Sequence, residues 1–293
     1  MPSRSDHQKA LKLADLDRAW LTLKSGGTLT DQALRLLGAE EQTVRTPLEA
    51  LIKSLSDQVE ADGQRRAERG CELAYHNREH VKDVLVALKL LADAAPNALA
   101  AEDLHLTILA MVGHDLGHDG LPNRSPRQLE IQSSQMVCSL MDPSTLGHQR
   151  LRRLRTIILM TDPKDYPRLA HRSRSSVLST QIALAVDADL FTSLLPSRGF
   201  LLGARLAEEQ VHAGLPHAIS LATLQGRAGF LKFAPLLSAA IKSLGMQALI
   251  DAQLAVIQRL SEAERLRPWT PDWGNEFVGL VHADLTRDTT IKI

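Results

Sequence analysis

Two pairs of histidines carry the most chemistry in this 293-residue sequence. His76 and His80 are four residues apart, and His114 and His118 repeat that spacing with Asp115 directly after His114. Residues four apart project from the same face of a helix, so each pair presents two imidazoles in one direction. Neutral imidazoles and carboxylates are ligands for divalent metals, and a carboxylate can also bridge two ions. Two pairs beside an aspartate therefore predict a metal site.

The segments around these pairs resemble those of a known family. Residues 75–84, YHNREHVKDV, are similar to the YHNxxHAxDV signature of class I 3′,5′-cyclic nucleotide phosphodiesterases, within the HD-type metal-dependent phosphohydrolases. Residues 114–120, HDLGHDG, resemble the family's HDxxHxG motif. Shorter matches are LMTD at 159–162, ADL at 188–190, GLP at 214–216 and GFL at 229–231. The resemblance covers about residues 70–240, and its specificity comes from the first two motifs in combination.

The resemblance implies a binuclear metal site. His80, His114, Asp115 and Asp189 would hold the first ion (zinc, iron or manganese), and Asp115 would bridge to a second (magnesium or manganese) held mainly by water. Asp187 competes with Asp189 for the last position. The two aspartates are two residues apart and lie on different faces of a helix, so only one of them points inward. The match to the ADL motif favours Asp189.

The resemblance also implies the proton donor and the substrate contacts. His76 would be the general acid, and His118 would hydrogen-bond around the metal ligands. Glu130 either does the same or is an ordinary surface glutamate. The side chains expected to contact the substrate are Tyr75, Asn123, Gln225, Arg227 and Phe230.

Several positions depart from the family pattern. The family has an invariant glutamine two residues before the Gly-Phe pair, where this chain has Arg227. Arginine offers donors but no acceptor, so it cannot reproduce the amide's paired contacts with a purine. Either Gln225 takes over through a local shift, or the substrate is not an ordinary cyclic purine nucleotide, or Arg227 is an exposed helix charge. Pro122 replaces the first of two family asparagines.

These residues predict a phosphodiesterase mechanism. A phosphodiester repels hydroxide, and two cations would neutralise it and supply a metal-bridging hydroxide that attacks phosphorus. His76 would then protonate the leaving alkoxide. We expect hydrolysis of a 3′,5′-cyclic nucleotide to the 5′-monophosphate. The alternatives are an HD-type phosphohydrolase acting on a non-cyclic nucleotide or another small phosphodiester, and a catalytically silent sensor of a nucleotide or metal.

The sequence around these candidate site residues has a helical pattern almost everywhere. Thr46-Pro47-Leu48-Glu49 is a capping box, and an apolar face follows it until Asp62-Gly63. Other helical patterns include about 127–141, 174–191, 199–213 and 219–242, and no convincing alternating strand appears. We expect one all-α domain over 1–293, a multi-helix bundle with the metal site at its centre. Residues 1–69 and 241–293 would be helices packed beside the core.

The amino-acid composition disfavours some classes of protein. With 34 Lys+Arg against 34 Asp+Glu the net charge is zero, and the chain has only three Trp, two Tyr and five Phe. This balance disfavours binding to nucleic acid polymers. Two cysteines make no disulfide framework, and neither a signal peptide nor a run of 18 apolar residues is evident. A cytoplasmic enzyme with a small nucleotide or phosphodiester substrate and no membrane partner is expected.

Overall fold

The computed structural model describes residues 16–24, 27–38, 45–141, 146–171 and 176–287. Within these ranges the chain is helical and has no strand, apart from an isolated bridge between Thr223 and Pro268. The prediction of an all-α fold is confirmed. Of the packing helices predicted over 1–69 and 241–293, residues 1–15, 25–26, 39–44 and 288–293 lie outside the described residues.

Fifteen stretches of α-helix are described in these ranges. They are α1 (16–24), α2 (Leu29–Leu36), α3 (Pro47–Glu68), α4 (Arg78–Ala94), α5 (Ala101–Gly113), α6 (Gln128–Ser139), α7 (His148–Leu159), α8 (Tyr166–Ala170), α9 (Val177–Leu194), α10 (Pro196–His212), α11 (Leu224–Phe233), α12 (Ala239–Ser243), α13 (Met246–Arg259), α14 (Glu262–Leu266) and α15 (Pro271–Arg287). Short 3₁₀ turns at Pro163–Asp165 and Pro216–Ala222 precede α8 and α11.

Helix α3 begins where the capping box predicts. Thr46 accepts a hydrogen bond from the Glu49 amide, and the Glu49 carboxylate accepts one from the Thr46 amide. The predicted end at Asp62-Gly63 is wrong, because the helix continues to Glu68. A Cβ at position 63 would lie 2.8 Å from Arg78 Cδ, so glycine here permits close packing of α3 against the start of α4.

The helix predicted over 219–242 is also wrong as a continuous element. It divides into a 3₁₀ turn, α11 and α12, with a non-helical segment after Phe233. Pro235 lies in that segment and has no amide hydrogen for a helical bond. Asp187 of α9 holds the segment, since its carboxylate accepts hydrogen bonds from the amides of Leu237 and Ser238 at 2.8 and 2.6 Å.

Helix α9 lies at the centre of the core. It packs against α4, α5 and α10. By length and composition it could cross a membrane, but 72% of it is buried inside the protein, and it carries both Asp187 and Asp189. In the described part of the chain it is therefore a core helix, and it delivers polar side chains to the interior.

Candidate active site

Three core helices bring three ligand-type side chains together. His80 lies in the first turn of α4, where Asn77 caps the helix by accepting the amide hydrogens of Glu79 and His80. His114 directly follows α5, and Asp189 comes from α9. Asp189 Oδ1 lies 3.1 Å from His80 Nε2 and 3.5 Å from His114 Nε2. The three donor atoms could hold one metal ion.

Asp115 closes this cluster. Its Oδ2 lies 3.2 Å from His114 Nε2 and 3.4 Å from His80 Nε2. His114 Nδ1 donates to the Met111 carbonyl at 2.8 Å, which leaves Nε2 with the lone pair when the ring is neutral. His114 Nε2 and Asp115 Oδ2 are both buried without a hydrogen-bond partner in suitable geometry. Because such orphaned atoms are costly, and both are metal-ligand types, the donor set fits a divalent ion.

The carboxylates and imidazoles of the cluster shift one another's pKa values. Burial opposes protonation of His80, but Asp115 and Asp189 outweigh it and raise the pKa of His80 to about 9. Burial likewise opposes ionisation of Asp189, yet His114 and His80 lower its pKa to about 2. Two ionised carboxylates therefore face two buried imidazoles, and a metal ion would replace the protons that the imidazoles otherwise hold.

The two aspartates of α9 have separate surroundings. Asp187 is fully buried, and its carboxylate holds the Leu237 and Ser238 amides. Asp189 lies beside the two imidazoles. The structure thus brings Asp189 to the histidines and gives Asp187 a structural role, while ligation itself stays a prediction.

His76 is held by a glutamate that sequence reasoning missed. Glu209 Oε1 lies 2.5 Å from His76 Nδ1, and Oε2 accepts the backbone amides of Tyr75 and His76 at 2.8 and 2.9 Å. Burial opposes ionisation of Glu209, but the hydrogen bonds from His76 and the amides outweigh it and lower its pKa. The available signal was an acidic residue on the apolar face of α10, three residues after Leu206.

His118 stacks on His76, with ring centroids 3.7 Å apart and planes 17° from parallel. The Gly120 amide donates to His118 Nδ1 at 3.0 Å, so the proton of the neutral ring is on Nε2. Burial and the neighbouring His76 lower the pKa of His118 to about 4. His76, His118 and Glu209 also have donor atoms close enough to hold an ion. However, the Glu209 oxygens are already occupied by three N–H groups.

Asn123 and Glu130 contact each other. The Asn123 amide group donates to both Glu130 carboxylate oxygens, at 3.1 and 2.9 Å, and Asn123 Oδ1 accepts the Leu129 amide. Glu130 is buried, so its interpretation as an ordinary surface glutamate is wrong. Burial raises its pKa. Contact of Asn123 with a substrate stays a prediction.

Arg227 is buried rather than an exposed helix charge, so that interpretation is wrong. Its guanidinium donates to the carbonyls of Ser193 and Leu195 at 3.1 and 3.0 Å, and its Nε donates to Gln253 Oε1 at 3.0 Å. Burial lowers the pKa of Arg227 to about 9. The side chain caps the end of α9, whose last carbonyls have no partner within the helix. Gln225 is exposed.

Tyr75 lies between the histidines and a cavity. Its ring centroid is 4.7 Å from that of His76 and 4.9 Å from that of His80. Its hydroxyl lies 3.2 Å from Ser193 Oγ, and both residues line the cavity together with Phe230. Two predicted substrate contacts, Tyr75 and Phe230, therefore line the same cavity, and Tyr75 also contacts the candidate proton donor.

Comparison with known proteins gives similarity to solved structures but none in sequence. The chain matches no protein-family model and no curated protein. It is similar to the solved structure of Leishmania PDEB1 (LmjPDEB1) in complex with IBMX, at 15% identity and a TM-score of 0.42. The similarity covers 94% of this chain and 97% of that chain. We therefore derive the function from the side chains of the site.

Proposed function

We propose that this protein is a metal-dependent phosphodiester hydrolase. The observation that carries the proposal is the convergence of His80, His114, Asp115 and Asp189, with two buried donor atoms left unpartnered. A purely structural cluster would pair its buried polar atoms within the protein. This donor set accepts zinc, iron or manganese.

Each ligand side chain has a definite part to play. His80, His114 and Asp189 would hold the first ion, and Asp115 would contact it and bridge to a second, for which magnesium or manganese is the expected occupant. When bound, two such ions neutralise a phosphodiester and lower the pKa of a water molecule so that hydroxide is available at neutral pH.

The chain's own contribution to bond cleavage is a proton. Glu209 accepts from His76 Nδ1 and orients the ring, which leaves Nε2 as the donor to the departing alkoxide oxygen. His118 covers one face of the His76 ring and restricts its rotation. A histidine so held beside the candidate metal ligands supports an enzyme rather than a silent sensor, because binding alone needs no general acid.

Two substrate classes follow from different observations. The resemblance of the sequence motifs favours a 3′,5′-cyclic nucleotide as substrate, with the 5′-monophosphate as product. The buried Arg227, whose donors are directed at protein oxygens, favours a different small phosphodiester. Both classes use the same residues at the phosphorus atom.

A hydrolysis panel tests the proposal. Protein loaded with Mn²⁺ or Mg²⁺ should hydrolyse bis(4-nitrophenyl) phosphate or a cyclic nucleotide, and EDTA should abolish turnover. His76→Gln should lower kcat by about 10²–10⁴-fold with metal content retained, whereas Asp115→Asn should lose both. Tight binding of a nucleotide without turnover by metal-loaded protein would instead establish the sensor alternative.

A further inference from the structure

The cavity beside Tyr75 has an apolar lining. Leu202, Leu206, Leu221 and Phe230 supply its hydrocarbon surface, together with glycines at 199, 203 and 226. A Cβ at position 203 would lie 2.7 Å from the Leu221 carbonyl oxygen, so the walls approach closely. An apolar lining of this kind favours an apolar group.

The polar groups of the wall are already engaged. The Tyr75 hydroxyl pairs with Ser193 Oγ, and the Arg227 guanidinium donates to the Ser193 and Leu195 carbonyls and to Gln253. A purine edge needs both a donor and an acceptor, and arginine has no acceptor. Gln225, the alternative amide, is exposed and does not line the cavity.

The size of the cavity also argues against a purine. Its volume is about 80 Å³. An engineered apolar cavity that holds benzene measures about 150 Å³. About half that volume accommodates about three carbon atoms, fewer than the ring system of a nucleobase.

The cavity is next to the proton donor. Gly199, Leu202, Leu206 and Glu209 follow one another along one face of α10, and Glu209 holds His76. Tyr75 also links the cavity to the candidate proton donor, because it lines the cavity and its ring contacts His76. Tyr75 and helix α10 are thus shared by the cavity and the candidate proton donor.

We propose that the natural substrate is a phosphodiester with one short alkyl ester group, which enters the cavity beside Tyr75 and Leu206. The inference rests on the proposed hydrolase function and names its substrate class. In the reaction, a P–O bond forms from water and the P–O bond to the other ester group breaks. That group leaves as an alcohol with the proton from His76, and an alkyl phosphate monoester remains.

A series of 4-nitrophenyl phosphodiesters tests this substrate class. Metal-loaded protein is assayed with methyl, propyl and benzyl esters, alongside cyclic AMP and cyclic GMP. We expect kcat/KM to rise about 15-fold from methyl to propyl, about fourfold per buried methylene, and to fall again for benzyl. Cyclic nucleotides should be poorer substrates than the propyl ester.

Two variants of helix α10 test whether the cavity selects the alkyl group. Leu206→Phe should lower the propyl-to-methyl ratio of kcat/KM, whereas Val211→Phe, at an exposed position on the same helix, should leave that ratio unchanged. Equal rates for all alkyl esters, or a cyclic nucleotide hydrolysed faster than any of them, would overturn the alkyl-group inference alone. No hydrolysis of any diester, bis(4-nitrophenyl) phosphate included, would overturn the hydrolase function as well.

Discussion

His76 Nδ1 and Glu209 Oε1 lie 2.5 Å apart, although 133 residues separate them in the chain. The second carboxylate oxygen of Glu209 accepts the amides of Tyr75 and His76, so one side chain orients both the imidazole and the backbone that carries it. The pair therefore determines which nitrogen of His76 is free to donate a proton.

Glu209→Gln should separate proton donation from metal binding. Glutamine keeps the shape of the side chain but removes the negative charge and one acceptor oxygen, so the His76 ring is oriented less firmly for proton donation from Nε2. We expect kcat to fall by about 10²-fold while the metal content measured by mass spectrometry is retained.

Glu208→Gln is the matched control, because Glu208 is the exposed neighbour on the same helix. It should leave both kcat and the metal content unchanged. Loss of metal from the Glu209→Gln protein would contradict a role confined to His76.

The paired variants Asp189→Asn and Asp187→Asn distinguish the ligand from the structural aspartate. Asp189→Asn should weaken Mn²⁺ binding by more than the roughly 10–100-fold typical of groups outside the ligand set. Asp187→Asn should keep the metal but lower the free energy of unfolding by about 1–3 kcal/mol, since its carboxylate holds two buried amides. Calorimetric metal titration and urea unfolding measure the two effects, and metal loss in both variants would refute the distinction.

The metal-free protein should show a pH-dependent stability that originates in the cluster. The pKa of His80 is about 9, above its ordinary 6.5, so this imidazole stabilises the fold below about pH 6.5 and its contribution is lost as the pH rises through 9. The pKa of Asp189 is about 2, below its ordinary 3.8, so that contribution is present above pH 3.8 and is lost as the pH falls through 2. Urea unfolding in EDTA should therefore show a decline from pH 6.5 to 9.

Bound metal should counteract this loss of stability between pH 6.5 and 9. A bound ion requires neutral imidazoles, so its binding releases protons and its affinity rises with pH over the same range. Calorimetry in two buffers of different ionisation enthalpy counts the protons released. Asp189→Asn should flatten the decline in EDTA, and an equally steep decline in that variant would assign it to other groups.

Arg227→Gln should act on stability rather than on substrate preference. Its guanidinium donates to the Ser193 carbonyl at the end of α9 and to Gln253 Oε1, and a shorter side chain leaves these buried acceptors unpaired. We expect a loss of about 3 kcal/mol in urea unfolding. Lys232→Gln, exposed on the same helix, should change it by less than about 0.5 kcal/mol. A switch of preference toward cyclic nucleotides in Arg227→Gln would show that Arg227 selects the substrate.

Local patterns in the sequence determined the helical elements well. The capping box at Thr46 and the apolar periodicity predicted α3, because caps and periodicity depend on neighbouring residues only. The pattern failed where a distant partner intervened. Helix α3 continues through Gly63, where the Arg78 side chain packs, and the 219–242 segment breaks around Pro235, where Asp187 of α9 accepts the Leu237 amide.

The sequence by itself determined the residue types of the candidate metal ligands and placed them in two short segments. The prediction that each histidine pair lies on one face of a helix is wrong, because His76 precedes α4 and His118 lies beyond the end of α5. Only the tertiary structure decided which side chains meet across the core. It brought Asp189 to the imidazoles, joined Glu209 to His76 and buried Arg227 at the end of α9. These relationships depend on how helices far apart in the chain pack together, and no local pattern encodes that packing.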